Sequence, residues 1–322
     1  MEDPAAILKK AESLEKSARG GFNLFGSRKE KLEDCANEYV RAANGFKARQ
    51  SYDQAARILE RAAQLQTEIG EPDDAANSLV QASQCYTAKP DLLPEDATSA
   101  ARLLKGAIIH YTSKGNFRRA ASWEEKLAEI LEKAGDAAGA VEAYEQAGTW
   151  YKVEGSAQMA NKMFLKVADN AALAGDYRRA VDRYEEVAKS SASNNLMKWS
   201  LKEYFFKAAI CHLCTGDVAT TKRALQSYVE IDMNFPNQRE YILLQNLIGA
   251  IESGDAEGFS EHLFQYSQVS ELDKWKVQLF LHIKNTQIQA ARPPPAVAAT
   301  GWSPDAPPPQ GPVGDDGEVD LS

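Results

Sequence analysis

Apolar residues recur at every third or fourth position along most of the chain before the proline-rich C-terminal segment. This spacing marks one face of an α-helix, on which residues three and four apart lie side by side. A clear example is the run Ala55, Ile58, Leu59, Ala62, Leu65 and Ile69. No segment sustains the alternation of apolar and polar residues that a half-buried strand shows. The pattern therefore predicts helices throughout and no β-sheet.

Turns that begin with glycine divide the helical pattern at regular intervals. In each turn a polar residue follows the glycine, and a helix rich in small residues comes next. Glycine favours the left-handed conformation that ends a helix, and an Asp or Asn after it is a good N-cap for the next helix. The turns begin at Gly70, Gly115, Gly135, Gly155, Gly175, Gly216 and Gly254, and the four from Gly115 to Gly175 are evenly spaced.

Helical hairpins of about 40 residues that repeat along a chain are typical of solenoids. We therefore predict an all-α fold, a right-handed helical-hairpin solenoid that forms a tetratricopeptide-like twisted sheet with longer helices. The curved faces of such a sheet bind other proteins. A plain helical bundle is the alternative that the pattern leaves open.

Proline separates this repeat region from a tail of different composition. Five of the 13 prolines lie at or before Pro236, and eight follow Arg292. A segment so rich in proline cannot bury a core, and we expect it to be disordered. The predicted units are an N-terminal helix (1–19), an apolar loop (20–27), the repeat solenoid (28–228), a C-terminal helical bundle (229–289), a Pro-rich linker (290–314) and an acidic tail (315–322).

Charge and hydropathy exclude several classes of function. The net charge of −9 argues against general nucleic-acid binding, which requires a basic face. No apolar run is long enough to indicate a transmembrane helix, and the first residues lack the apolar segment of a signal peptide. With four scattered cysteines, the chain is predicted to be cytoplasmic.

No pattern of residues indicates catalysis or a bound cofactor. Phosphate-binding loops, dinucleotide fingerprints and zinc-protease motifs are absent from the sequence. Cys211 and Cys214 have the CxxC spacing, but they lie in a helical pattern with no second pair close in sequence. We therefore interpret them as buried core cysteines rather than as a zinc or redox site, and we predict neither enzyme activity nor a metal.

The segment GGFNLFGSRKEK at 20–31 combines apolar and basic residues. Phe22, Leu24 and Phe25 lie between glycines, and Arg28, Lys29 and Lys31 follow within a few positions. An apolar tip beside basic residues suits peripheral insertion at an anionic membrane surface. The alternative is that the aromatic side chains fold back onto the first helices.

Basic residues on the middle helices form a second candidate site. The pairs Lys162–Lys166 and Lys198–Lys202 have i,i+4 spacing and so share a helix face. Arg118 and Arg119 follow a turn. A second pair, Arg178–Arg179, occupies the matching position in a later repeat. A row of such cations on a concave face would bind an acidic rod. An ordinary solvated helix face is the alternative for any single pair.

Acidic residues concentrate at the C-terminal end, which is the third candidate. Residues 229–289 carry nine Asp or Glu against four Lys or Arg, and the residues from 290 carry five against one. Asp217, Glu252 and Asp255 lie at or near repeat turns, and Leu321 is the penultimate residue. We expect this acidic end to bind a basic partner. The alternative is that these residues serve only to cap helices and to keep the protein soluble.

Four segments, in the same order along the chain, resemble the alpha-SNAP family. They are GGFNLFG at 20–26, ANKMFLKVADNAA at 160–172, LKEYFFKAAICHLC at 201–214 and LDKWKVQLFLHIKNT at 272–286. The resemblance implies a twisted sheet of helix pairs with a C-terminal bundle. It also implies an adaptor that binds the SNARE four-helix bundle and recruits the hexameric ATPase NSF, which disassembles the bundle.

The resemblance further implies roles for the candidate residues. Phe22, Leu24 and Phe25 would form the membrane loop, and Lys162 and Lys166 would face the SNARE bundle. The NSF-facing residues would be Asp217, Glu252, Asp255 and, as the residue that stimulates ATP hydrolysis, Leu321.

Two features depart from the family pattern. The family tends to carry a lysine early in the helix that here begins FRRAASWEE, where this chain has Ser122 and the preceding Arg118–Arg119. The Pro-rich segment 290–314 also separates the last predicted helix from the acidic end. The alternative function is a different tetratricopeptide-like interaction scaffold or chaperone co-factor.

Overall fold

The computed structural model describes residues 2–20, 28–193 and 198–289. Fourteen α-helices run through these residues, and none of them forms a β-strand. The prediction of an all-α fold is confirmed. The first seven helices are α1 (Pro4–Arg19), α2 (Arg28–Ala48), α3 (Tyr52–Glu68), α4 (Pro72–Thr87), α5 (Pro94–Ser113), α6 (Phe117–Lys133) and α7 (Ala137–Val153).

The second half of the chain continues in the same way. Its helices are α8 (Ala157–Leu173), α9 (Tyr177–Ala192), α10 (Leu201–Cys214), α11 (Val218–Ile231), α12 (Arg239–Ser253), α13 (Ala256–Ser267) and α14 (Lys274–Ile283). Short 3-10 turns occur at Lys198–Ser200 and Phe235–Asn237. A π-helical stretch, Lys284–Gln289, follows α14.

The glycine turns end the helices as predicted. The glycines that begin the seven turns all have positive φ, from 70° at Gly254 to 85° at Gly175. The side chains of five residues that follow these glycines accept the backbone N–H three positions ahead, and so cap the next helix. These caps are Asn116, Asp136, Asp176, Asp217 and Asp255.

Small and aromatic residues alternate in register through the repeats. Ala120, Ala140, Ala160 and Ala180 recur with the spacing of the glycine turns and are at most 2% exposed, so each allows the next helix to approach closely. One turn later, Tyr144, Phe164 and Tyr184 fill the space between helices and are also buried. The buried core residues therefore repeat along the chain with the same spacing as the glycine turns.

Several side-chain ion pairs join a helix to the second helix after it, and they define two rows of helices. Lys162 on α8 reaches Glu125 on α6, with 2.8 Å between Nζ and Oε1. Arg183 on α9 donates to Glu145 on α7, with 3.0 Å between Nε and Oε2. We refer to α4, α6, α8, α10 and α12 as the even row, and to α3, α5, α7 and α9 as the odd row.

The C-terminal helices share one hydrophobic cluster with the last repeats. This cluster extends from Ala168 on α8 to Ile288. The predicted boundary between residues 228 and 229 falls within α11, and the cluster is continuous across it. Trp275 on α14 fixes this arrangement, because its indole N–H donates to the backbone carbonyl of Asp169 on α8 at 3.0 Å.

Lys207 completes the contact between α8, α10 and α14. Its Nζ lies 2.7 Å from Oδ1 of Asp169 and 4.8 Å from the ring centroid of Trp275. An ammonium group over an indole face is attracted by the ring quadrupole. α14 is therefore held to α8 by a hydrogen bond and by a lysine that both helices share.

Candidate partner-binding surfaces

Lys162 and Lys166 lie on successive turns of α8 in the even row. The Lys162 side chain is 57% exposed although its ammonium pairs with Glu125, whose side chain is only 9% exposed. Glu125 also accepts a hydrogen bond from the hydroxyl of Tyr151 at 3.2 Å. Since an ammonium group has three donors, Lys162 can hold Glu125 and still bind an external carboxylate.

Lys166 is held more loosely than Lys162. Its Nζ is 3.8 Å from Glu132 and its side chain is 45% exposed. Both lysines line a groove of about 320 Å³ between α8 and α10, together with Asp169 and Tyr204. The predicted pair therefore shares one accessible face of the even row.

The two arginines at the start of α6 reach in opposite directions along the even row. The Arg118 guanidinium donates to the hydroxyl of Ser156 at 3.2 Å. Arg119 donates to the side-chain oxygen of Asn77 at 2.7 Å, and its guanidinium lies 4.5 Å from the ring centroid of Tyr111. Both residues are exposed, so each links neighbouring helices and still presents charge to solvent.

Lys198 and Lys202 differ in their surroundings. Lys202 on α10 pairs with Glu240 on α12 at 3.0 Å, and the Glu240 side chain is only 8% exposed. Lys198 is exposed in the 3-10 turn before α10, next to Trp199, which is 88% exposed. Lys202 thus neutralises a buried carboxylate, whereas Lys198 borders an apolar surface.

Two of the three acidic residues at the far end cap helices, and all three are exposed. Asp217 accepts hydrogen bonds from the side chain and backbone of Thr220, which lower the pKa of its carboxyl. Asp255 accepts the backbone N–H of Gly258 at 2.8 Å. Glu252 pairs with Lys222 at 2.6 Å, and about half of each side chain is exposed. Neither the two caps nor the ion pair of Glu252 buries these carboxylates, so a partner can reach them.

Four predicted site residues, Phe22, Leu24, Phe25 and Leu321, lie outside the described residues. The flanks of the apolar loop are described. Arg19 at the end of α1 and Arg28 at the start of α2 both pair with Glu68 on α3, at 2.6 and 3.0 Å. The two ends of the loop are thus tied to the same carboxylate.

The interpretation of the CxxC pair as core residues is confirmed. Cys211 and Cys214 are 0% and 6% exposed. Burial raises the pKa of Cys214 to about 12 and that of Cys211 well above its usual value. Both thiols are protonated at neutral pH, so neither is a ready nucleophile or metal ligand.

Among residues 2–20, 28–193 and 198–289, no His, Cys, Asp and Glu side chains form a group of three or more that could hold a metal ion. Within the same residues, each helix is too short or too polar to cross a membrane.

Sequence reasoning missed two features of these surfaces. The first is Lys126 on α6, which lies one helical hairpin before Lys166 and has a 53% exposed side chain. The period of the hairpins would have pointed to it. The second is the contact of Trp275 with Asp169, which are 106 residues apart. No local sequence pattern predicts a contact between residues so far apart along the chain.

Regular helical hairpins with charged, accessible faces define a class of protein, the helical-repeat interaction scaffolds. The profile of the soluble NSF attachment proteins, SNAP, matches residues 2–288. The chain belongs to this family.

Curated relatives agree with the family assignment. The probable vesicular-fusion protein sec17 homolog of Neurospora crassa is 42% identical, over 88% of this chain and 96% of its own length. The Schizosaccharomyces pombe protein of the same name is 40% identical, over 88% and 96%. The human alpha-soluble NSF attachment protein is 37% identical, over 87% and 93%.

Proposed function

We propose that this chain is an adaptor in vesicle fusion that binds assembled SNARE complexes and recruits and stimulates the ATPase NSF for their disassembly. The observation that carries the proposal is the accessible face of α8. Lys162 and Lys166 share that face, and about half of each side chain is exposed. A rod of coiled helices with acidic surface residues meets such a face by charge complementarity. Arg118 and Arg119 on α6 and Lys202 on α10 extend the basic surface along the same row, and Lys198 lies in the turn just before α10.

The first experiment measures binding to a soluble assembled SNARE bundle. The double variant Lys162→Gln, Lys166→Gln removes both charges without placing a new carboxylate beside the buried Glu125. We expect its affinity to fall about tenfold or more at low salt, which corresponds to about 1.4 kcal/mol. The control is Lys152→Gln, an exposed lysine on the odd row. Equal affinities for wild type and the double variant would refute the assignment of this face.

The acidic end is the proposed surface for NSF, through Asp217, Glu252, Asp255 and Leu321. Asp→Asn changes suit its test, because Asn is as good an N-cap as Asp but carries no charge. Asp217→Asn with Asp255→Asn should weaken NSF recruitment to preformed SNARE complexes and leave SNARE binding unchanged. Asp136→Asn, which changes a cap in a middle repeat, is the control. If both variants recruit NSF equally well, the acidic surface is not the NSF contact.

Peripheral membrane binding is proposed for Phe22, Leu24 and Phe25. The double change Phe22→Ser, Phe25→Ser should slow the disassembly of SNARE bundles on liposomes more than that of soluble bundles. A loss of apolar insertion affects only the membrane-bound reaction. Equal slowing in both assays would show that these side chains support the fold instead.

A further inference from the structure

Five charged side chains lie together where α1 ends, α2 begins and the chain turns from α3 into α4. Arg19 is the last residue of α1 and Arg28 the first of α2, and both guanidinium groups donate to the carboxylate of Glu68 on α3, at 2.6 and 3.0 Å. Lys29 pairs with Glu71, the residue before α4, at 3.2 Å. We refer to these five residues as the loop-base cluster. Two carboxylates thus hold three cations that flank the segment 21–27.

The three cations of the loop-base cluster differ in how firmly the fold holds them. Arg19 also donates from Nε to Glu15 at 3.0 Å, and the Glu15 side chain is only 10% exposed. Arg28 and Lys29 are 59% and 55% exposed, more than the carboxylates with which they pair. Arg19 therefore neutralises a buried acid inside the protein, whereas Arg28 and Lys29 lie towards solvent, where an external anion can reach them.

Helix stability does not account for Arg28 and Lys29. Both lie in the first turn of α2, where the positive end of the helix dipole disfavours cations and favours acidic side chains. Their partly exposed ion pairs with the α3–α4 turn contribute little to the stability of the fold. Charges that oppose a local rule of this kind are expected at functional sites. An anion bound from outside the protein explains these two cations better than the helix does.

The place of the cluster in the chain identifies the anion. Its cations lie on both sides of the segment that contains the three apolar residues proposed to enter a membrane. Insertion of those side chains brings the flanking cations to the level of the lipid phosphates. A guanidinium group binds a phosphate through two parallel N–H donors, and an anionic lipid surface attracts each nearby Arg or Lys. A lipid phosphate therefore competes with Glu68 for Arg28.

We propose that Arg28 and Lys29 bind the phosphates of anionic lipids, and that Glu68 and Glu71 limit the strength of this contact by competing for the same two cations. Away from a membrane the carboxylates neutralise the cations. At an anionic surface the lipid phosphates replace the carboxylates, which lose their partners and are repelled by the surface. The inference rests on the proposed membrane binding, and it adds the class of lipid and the residues that control the affinity.

The experiment measures binding of the full chain to two kinds of vesicle, phosphatidylcholine alone and an equal mixture of phosphatidylcholine and phosphatidylserine. Glu68→Gln should bind the mixed vesicles about 5-fold more tightly, which corresponds to about 1 kcal/mol, and should bind phosphatidylcholine like wild type. Arg28→Gln should bind the mixed vesicles about 3- to 5-fold more weakly. The control is Glu142→Gln, which removes a carboxylate paired with Arg179 between α7 and α9 and should bind both vesicles like wild type. Thermal unfolding of each variant checks that the fold is intact.

A double-mutant cycle separates competition from a simple change in net charge. Glu68→Gln should strengthen binding to the mixed vesicles less in the Arg28→Gln background than in wild type, because the competition that it relieves is then absent. If Glu68→Gln gains the same factor in both backgrounds, the carboxylate does not act through Arg28 and the inference is wrong. The inference is also wrong if wild type and Glu68→Gln bind the mixed vesicles equally.

The outcomes also separate this inference from the proposed membrane binding. If Phe22→Ser with Phe25→Ser weakens binding to both kinds of vesicle while Glu68→Gln binds like wild type, the apolar residues bind membranes and the loop-base cluster does not control them. If Phe22→Ser with Phe25→Ser binds both kinds as tightly as wild type, the proposed apolar insertion fails.

Discussion

Glu124 on α6 lies where the neighbouring helices place a buried aromatic ring. Tyr144, Phe164 and Tyr184 occupy the equivalent position in the three helices that follow, and all three are buried. Desolvation raises the pKa of the Glu124 carboxyl from 4.5 to about 7, although the charge of Lys105 on α5 acts in the opposite direction. We predict that Glu124→Gln stabilises the protein, and increasingly so as the pH rises.

The magnitude follows from the two pKa values. An acid whose pKa is higher in the folded state costs stability once it ionises. The cost is absent well below pH 4.5, grows between pH 4.5 and about 7, and is complete above about 7. For these values it is about 0.8 kcal/mol at pH 5 and about 3 kcal/mol at pH 8. Glutamine keeps the shape of the side chain and carries no such cost.

The assay is urea unfolding of wild type and Glu124→Gln at pH 5 and pH 8. The difference between their free energies of unfolding should widen by about 2 kcal/mol from the lower to the higher pH. Glu129→Gln is the control, because its carboxylate belongs to an exposed pair on the same helix. It should change by less than about 0.5 kcal/mol between the two pH values. If the free energies of unfolding of wild type and Glu124→Gln differ by the same amount at both pH values, the argument that desolvation raises the pKa of this carboxyl is wrong.

Two further predictions concern the packing and the turns of the repeats. Gly148→Ala should destabilise the protein by about 1–3 kcal/mol, because the new Cβ would lie 2.5 Å from the ring of the buried Phe164. Gly249→Ala is the control: no atom lies within 4 Å of its new Cβ, so this change should stabilise the protein by about 0.5–1 kcal/mol. If urea unfolding gives the two variants the same free energy of unfolding, the packing argument is wrong. Asp136→Ala should cost about 1 kcal/mol because a helix cap is lost. Ser156→Ala, at a turn where the side chain makes no cap bond, should cost less in the same assay, and an equal loss would argue against capping as the cause.

The parts of the fold that could be predicted from the sequence are those with a local cause. Gly135 and Asp136 end one helix and start the next because of backbone conformation and a hydrogen bond within three residues. The regular period then places successive turns and core alanines in register. These local rules were enough to predict a helical-hairpin repeat.

Contacts between helices of one row were not predictable in the same way. Lys162 and Glu125 are 37 residues apart, and their pairing depends on how α6 and α8 are placed after folding. Sequence reasoning identified Lys162 by its i,i+4 neighbour but gave no sign that it neutralises a buried carboxylate. Lys126 has no basic neighbour at that spacing, so a search for pairs passed over it. Only the repeat register reveals its equivalence to Lys166.

The bond from Trp275 to the backbone of Asp169 has a mechanical consequence. α8 carries the lysines proposed to hold the SNARE rod, and the same helix anchors α14, which leads towards the C-terminal end. A pull or twist applied to α14 enters the repeat region at α8, because the Trp275 bond and Lys207 connect the two helices directly. A force on the C-terminal helices would therefore be transmitted to the helix proposed to hold the SNARE rod.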